Sequence, residues 1–305
     1  MANYITVDGG TTNTRIYLVQ GGKVVDSIKC GIGATAGKSA LCETLKSGIA
    51  KLLCDNNLAE RNIEKLLLSG MITSEFGLCE LPHTTVPAGI KELKRGSKEM
   101  LFEDICSIPF VFVPGVKTDC ATPISADMMR GEETEVIGLW GIYGDGAYLL
   151  PGSHSKLVIL EKGKITSIKT MMTGEMIASL SGETILKDAV DLSIDEYDTE
   201  YLIKGFELAE NLGLNEALFK TRILKILFDA KPRETYGYFL GVVLADEIKA
   251  VASSGAERVI IGGKSILKRA LAELLSAKTC IAVTVATEQE VDTSTALGAV
   301  KIFKA

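Results

Sequence analysis

The 305-residue chain is long enough for two compact domains, and 47% hydrophobic with 24% charged residues is the composition of a globular protein. Lys and Arg number 33 against 39 Asp and Glu, a formal net charge of -6, which argues against a nucleic-acid-coating surface but permits local capture of a small anion. The chain enters strand pattern without a basic leader, and no apolar run approaches the ~18 residues of a membrane span, so a cytoplasmic protein is expected.

In chain order, "YITVDGGTTNTRIYLVQGGKVVDSIKC", Tyr4 to Cys30, predicts strand, Gly/Thr-rich turn, strand, tight turn and strand, with Asp8 at the end of the first. "ALCETLKSGIAKLLCDNN" places Leu41, Leu45, Ile49, Leu52 and Leu53 at helical spacing. "IEKLLLSGMI" reads as a buried strand running into a loop at Gly70, and "PFVFVPGV" as another strand bounded by Pro109 and Pro114. "RGEETEVIGLWGIYG" predicts a helix with Gly138 and Gly141 as weak points. Alternating strands and helices predict an α/β architecture with a partly parallel sheet.

The opening unit then recurs in "AYLLPGSHSKLVILEKGKITSIKT". Val7-Asp8-Gly9 lies over Leu150-Pro151-Gly152, Arg15 to Val19 over Lys156 to Leu160, and Gly22-Lys23-Val24 over Gly163-Lys164-Ile165. The second loop is shorter. A recurring strand, glycine turn, strand, turn, strand unit predicts two similar domains from an internal duplication. The later half is helix-rich, in "DTEYLIKGFELAENLG", "EALFKTRILKILFDA" and "ETYGYFLGVVLADEIKAVASSG". "ERVIIGGKSILKRALAELLS" then supplies strand, Gly-Gly turn and helix, "CIAVTVAT" a last strand, and "DTSTALGAVKIFKA" a last helix capped by Asp292 or Thr293.

The cysteines, Cys30, Cys42, Cys54, Cys79, Cys106, Cys120 and Cys280, form no C-x-x-C pair and are expected to be reduced and mostly buried. With only His83 and His154 beside them, a structural zinc site is not expected.

Backbone amides of a glycine turn, with Ser and Thr hydroxyls, form a donor array suited to phosphate oxygens. Asp8 offers oxygen ligands to Mg²⁺, which favours them and keeps much of its hydration. Two such turns and a third at Gly262-Gly263 favour nucleotide binding over turns chosen for their geometry alone. "GGKS" is not a P-loop, because the first glycine of that motif falls on Arg258. No G-x-G-x-x-G follows the first strand, so the dinucleotide fingerprint is missing as well.

The order "VDGGTTNTR", "MRGEETEVIG", "PGSHSKLV", "MTGE", "IIGGKS" and "STALGA" resembles the 2-dehydro-3-deoxygalactonokinases, members of the actin, hexokinase and heat-shock ATPase superfamily. The resemblance covers essentially the whole chain, with "MRGEET" and "PG-[ST]-H-x-K" its most specific parts. It implies two ribonuclease-H-like domains of actin-like ATPase fold, with an interdomain nucleotide and sugar cleft. Their expected extents are 1–139 with a returning helix at 292–305, and 140–291. It implies ATP and Mg²⁺ as cofactors, and transfer of the γ-phosphoryl group to the 6-hydroxyl of 2-dehydro-3-deoxy-D-galactonate in galactonate catabolism. The implied partners are small molecules, with no nucleic acid or membrane, and homo-oligomerisation is compatible with the reading.

Carried over by position, Asp8, Gly9, Gly10, Thr11, Thr12 and Asn13 form the first phosphate loop, with Asp8 the metal contact. Pro151 to Lys156, with Gly152, Ser153, His154 and Lys156, form the second, which lacks the carboxylate often found there. Gly262, Gly263 and Ser265 line the adenosine pocket, and Ala296 to Ala299 sit on the helix returning to the first domain. Phosphoryl transfer needs charge neutralisation and a base that orients the attacking hydroxyl. Glu132 or Glu133, at a helix N-terminus that favours an anion and keeps a carboxylate ionised, supplies that base. Arg130 or Arg15 is expected to meet an anionic group, since an Arg fork suits carboxylate and phosphate alike. Glu175 in "MTGE", together with Thr73, Ser74 and Glu75 in "SGMITSEFG", are candidate sugar contacts. The rival readings are a kinase for another acceptor, a phosphatase of the same fold, and a non-catalytic sugar sensor or assembly-forming actin relative. A DNA-binding module ahead of Asp8 is not expected.

Overall fold

The computed structural model describes residues 2–263 and 266–305. The chain folds as two units, one of Met1–Asp145, Leu160–Ile168 and Gln289–Ala305, the other of Gly146–Ile159 and Lys169–Glu288.

The first unit opens with β1 (Asn3–Gly9), β2 (Thr14–Gln20) and β3 (Lys23–Cys30), followed by α1 (Lys38–Asp55) and β4 (Lys65–Gly70). After these come β5 (Thr84–Thr85), β6 (Ala88–Gly89), α2 (Ile90–Gly96), β7 (Lys98–Met100), β8 (Phe110–Phe112), β9 (Val116–Lys117), β10 (Met128–Met129) and α3 (Glu132–Tyr143). The main sheet has the order β3-β2-β1-β4-β8-β7. β1 pairs antiparallel with β2 and parallel with β4, and β4 is parallel to β8. As the middle parallel strand, β4 is an unbroken buried run, whereas β3, farther out, alternates partly buried and exposed residues. The helical face predicted from spacing is the one that packs: Leu41, Leu45, Ile49, Leu52 and Leu53 of α1 join Ile5, Val7, Ile16, Leu66 and Phe110 in one core.

The second unit contains β11 (Gly146–Leu150), most of β12 (Ser155–Glu161), the end of β13 (Lys164–Met171), α4 (Thr173–Glu183), α5 (Thr199–Leu212) and α6 (Leu214–Phe228). It continues with α7 (Pro232–Ala252), β14 (Arg258–Ile261), α8 (Ile266–Lys278) and β15 (Ala282–Val285). Its strands run β15-β14-β11-β12-β13, with β14 parallel to both β11 and β15. This order repeats that of β8-β4-β1-β2-β3, with parallel pairs at matching places, so the duplication read from two glycine turns extends through five strands of each sheet. α7 is buried nearly all round, as a helix at the centre of a core must be, and contributes Phe239, Leu240, Val243 and Leu244. No helix among the described residues is long and apolar enough to cross a membrane.

The last helix, α9 (Glu288–Phe303), belongs to the first unit. There Ala296, Ala299 and Val300 pack on Tyr4, Tyr17, Val19 and Leu67. Gly138 of α3 and Gly298 of α9 leave no room for a Cβ against Ser294 and Thr134 backbone atoms, which lets the two helices approach closely. Two expectations need correction. α9 starts at Glu288 and not at Asp292 or Thr293, so the acidic turn Glu288 to Glu290 faces the helix dipole and "DTST" is interior. The seven cysteines are free, but only Cys79 and Cys106 are buried; Cys54, Cys120 and Cys280 are exposed, because a thiol that needs no partner is tolerated at the surface.

Candidate active site

In the first unit the Gly/Thr turn is held from behind. Gly10 N–H donates to Asn13 O at 2.8 Å, Ala34 N–H to Gly10 O at 3.0 Å, and both Thr35 N–H and its hydroxyl to Thr11 O at 3.1 and 2.8 Å. With these carbonyls engaged, Thr11, Thr12 and Asn13 present their side chains at an exposed surface. Asp8 lies opposite Arg15 in the β1–β2 register, and Arg15 Nη1 stands 3.6 Å from Asp8 Oδ2.

Glycines bring the start of α3 to this turn. Gly131 has φ 113°, and a Cβ there would lie 3.1 Å from Gly70 Cα; Gly70 has φ 85°, and its Cβ would lie 2.6 Å from Gly9 O. Side chains at these positions would prise the three segments apart. The hydroxyl of Thr134 pins the start of the helix by donating to Gly131 O at 2.7 Å, and its Oγ1 lies 3.2 Å from Ser69 Oγ.

The two candidate bases on this helix have different surroundings. Glu132 is half-buried and its Oε2 accepts from Arg130 N–H at 3.1 Å. Glu133 is completely buried; its Oε2 accepts from Gly131 N–H at 2.7 Å, while its Oε1 has no hydrogen-bond partner. Burial, followed by the adjacent Glu132 charge, pushes the Glu133 pKa up to about 8. The expectation that a carboxylate at this helix N-terminus stays ionised is therefore wrong for Glu133: loss of water outweighs the helix dipole and the Gly131 amide.

Arg130 is committed to protein partners. Nη1 donates to Thr73 O and Oγ1 at 2.6 and 2.7 Å, and Nη2 donates to Leu81 O at 3.0 Å and lies 3.2 Å from His83 Nδ1. Burial, then Arg130 and Lys117, lowers the His83 pKa to about 4, so Nδ1 is an acceptor at neutral pH. Thr73 and Ser74 donate to Gly70 O and Met71 O, both side chains are buried, and Glu75 is exposed. Arg130 thus fixes the 70–83 segment that carries the candidate sugar contacts. His83 has no motif around it and could not be found by spacing.

The second loop lies wholly in the other unit. Gly174 and Glu175 N–H groups, in the first turn of α4, donate to Gly152 O and Ser153 O at 3.2 Å each. His154 Nε2 meets Glu175 Oε1 at 2.9 Å, with both side chains about half exposed. Lys156 is nearly buried and its Nζ donates to His154 O at 2.9 Å. Gly262 N–H donates to Leu149 O at 2.9 Å, and Gly263, at φ 73°, packs against Pro151. Ser265 lies outside the described residues. Glu175 therefore belongs with the second loop, whereas Arg15, Thr73, Ser74 and Glu75 belong with the first.

Each loop can present donors to an anion, and the first adds a carboxylate able to hold a hard cation. Comparison with known proteins gives this chemistry a family. Residues 8–298 match the model of the 2-keto-3-deoxy-galactonokinase family. The chain belongs to that family. It is a sugar kinase by that membership. The 2-dehydro-3-deoxygalactonokinase of Escherichia coli K12 is 26% identical over 278 residues, 88% of each chain. A solved Sinorhizobium meliloti protein, provisionally named a 2-dehydro-3-deoxygalactonokinase, superposes with a TM-score of 0.80 at 21% identity over the whole of both chains. A xylulose kinase from Lactobacillus acidophilus shares the fold more distantly, with a TM-score of 0.54 at 12% identity, covering 100% of this chain and 89% of its own. The actin-like ATPase fold of the sugar kinases is thereby the fold of this galactonokinase-family chain.

Proposed function

We propose that this kinase transfers the γ-phosphoryl group of ATP to the 6-hydroxyl of 2-dehydro-3-deoxy-D-galactonate, with Glu132 as the base. The observation that supports the reading most directly is the "RGEE" turn. It holds two adjacent carboxyls at one helix N-terminus, one buried with a pKa of about 8 and one half-exposed. Pairs of acids whose surroundings differ in this way take different roles. At neutral pH Glu133 keeps its proton, so the turn carries one carboxylate and not two. Glu132 is the carboxylate that a substrate hydroxyl can reach, and it accepts the proton as the hydroxyl attacks.

The residues present fit Mg²⁺-ATP. Asp8 would supply oxygen to the metal, and Thr11, Thr12, Asn13 and the Gly9 and Gly10 backbone would meet phosphate oxygens. Within the second unit, Gly152, Ser153, His154 and Lys156 are the candidate phosphate contacts of the second loop, and Gly262 and Gly263 adjoin that loop as candidate adenosine contacts. The metal supplies neutralisation of polyphosphate charge when bound. Arg15, already facing one carboxylate, is suited to the carboxylate of the sugar acid. Glu75 meets sugar hydroxyls from the loop that Thr73 and Ser74 brace, and Glu175 orients His154 while remaining open to a hydroxyl.

ADP release with Mg²⁺-ATP tests this reading. 2-Dehydro-3-deoxy-D-galactonate should stimulate release far above its gluconate epimer, D-galactonate or no acceptor. Equal release without any acceptor would make the protein a hydrolase, and preference for the epimer would overturn the substrate.

A further inference from the structure

The second phosphate loop lacks the carboxylate of its counterpart, yet a carboxyl stands beneath it. Glu247 lies in the middle of α7, 1% exposed, on a helix whose buried face is predominantly apolar. Its Oε1 accepts from the Thr173 hydroxyl, the Ser155 side chain stands beside the carboxyl, and Oε2 has no hydrogen-bond partner. Burying a carboxyl is costly, and an apolar residue at this place would serve the core better. Its partners give the reason for keeping it. Ser155 ends the second loop, and its Oγ accepts from Gly152 N–H at 3.4 Å. Thr173 begins α4, whose next two amides hold Gly152 O and Ser153 O.

We infer that Glu247 is the positioning residue of the second phosphate loop. Through the Thr173 hydroxyl it holds helix α4, whose first amides bind the turn, with Ser155 of strand β12 beside it, and so fixes the amides offered to phosphate. The Thr173 hydroxyl donates to Oε1, and Ser155 Oγ accepts from Gly152 N–H. An amide at this position could turn an N–H toward the Thr173 hydroxyl in place of its acceptor.

The role of the loop in nucleotide binding rests on the proposed function, whereas its dependence on Glu247 does not. The test combines amide hydrogen exchange of the ligand-free protein with steady-state kinetics for Glu247→Gln, Thr173→Val and Thr173→Ser. Glu247→Gln and Thr173→Val should speed exchange across 151–156 and 173–176 by about tenfold, leaving the β14 and α8 amides unchanged. KM for ATP should rise by a similar factor with KM for the sugar acid unmoved, and Thr173→Ser should restore both. Thr173→Val keeps the shape of the side chain and tests the inference even if Glu247→Gln does not fold. Unchanged loop exchange in Thr173→Val would overturn it, as would a general rise through the unit. A loosened loop with no change in KM for ATP would keep the positioning role and remove the second loop from the nucleotide site.

Discussion

Glu133 shows how burial decides the chemistry of a residue. In the unfolded chain its carboxyl has an ordinary glutamate pKa, near 4.3. In the fold it rises to about 8, because no water replaces what the core removes. The folded state then binds the proton more tightly. The resulting stabilisation is complete below the unfolded pKa and is lost as pH rises toward about 8. Wild-type thermal stability should fall over this range relative to Glu133→Gln, which resembles the protonated acid, with a slope of at most ~1.4 kcal/mol per pH unit. Parallel melting curves for the two proteins from about pH 5 to 8 would show that the Glu133 carboxyl is not held protonated. From sequence alone the pair "EE" was visible, but the asymmetry between its members was not, since it depends on which side chain Gly131 and Gly70 turn inward.

At the scale of elements, the organiser of the first unit's site is Arg130, placed by β10 and α3 and bound to a segment 47 to 57 residues away. Arg130→Ala leaves Thr73 O, Leu81 O and His83 Nδ1 without their donor and should destabilise the fold by ~2–4 kcal/mol in urea titrations. Lysine, a single ammonium in place of a planar fork, should recover under half of that. Full recovery by lysine would mean that charge alone is what the segment needs. Sequence reading expected Arg130 or Arg15 to meet an anionic group; Arg15 faces Asp8, whereas the partners of Arg130, so distant along the chain, leave no periodic trace. Where the signal was periodic it succeeded, as in the buried face of α1 and the start of α3. It failed where the start depends on tertiary support. α4, whose first amides cap the second loop, was read only as the short motif "MTGE", and the start of α9 was drawn to the better capping residues inside it.

Across the whole chain, two sheets of matching strand order carry two glycine turns, each braced by its own unit: residues 34 and 35 behind the first, α4 and Glu247 behind the second. The duplication was legible because each copy opens with a β-turn-β-turn-β pattern that survives sequence change. The braces were not, since both come from elements that differ between the copies. A glutamate among the apolar positions of "GVVLADEIKAV" was the available hint of the second.

The division of labour at the "RGEE" turn makes one demand on the working enzyme. Turnover of Glu132→Gln and Glu133→Gln, measured side by side at saturating Mg²⁺-ATP and 2-dehydro-3-deoxy-D-galactonate near pH 7, tests it most directly. Loss of a general base predicts a fall of about 10²–10⁴-fold for Glu132→Gln. Glu133→Gln, which substitutes a neutral amide for a neutral acid, should stay within about tenfold of wild type. Collapse of Glu133→Gln with Glu132→Gln active, or wild-type rates in both, would contradict the account.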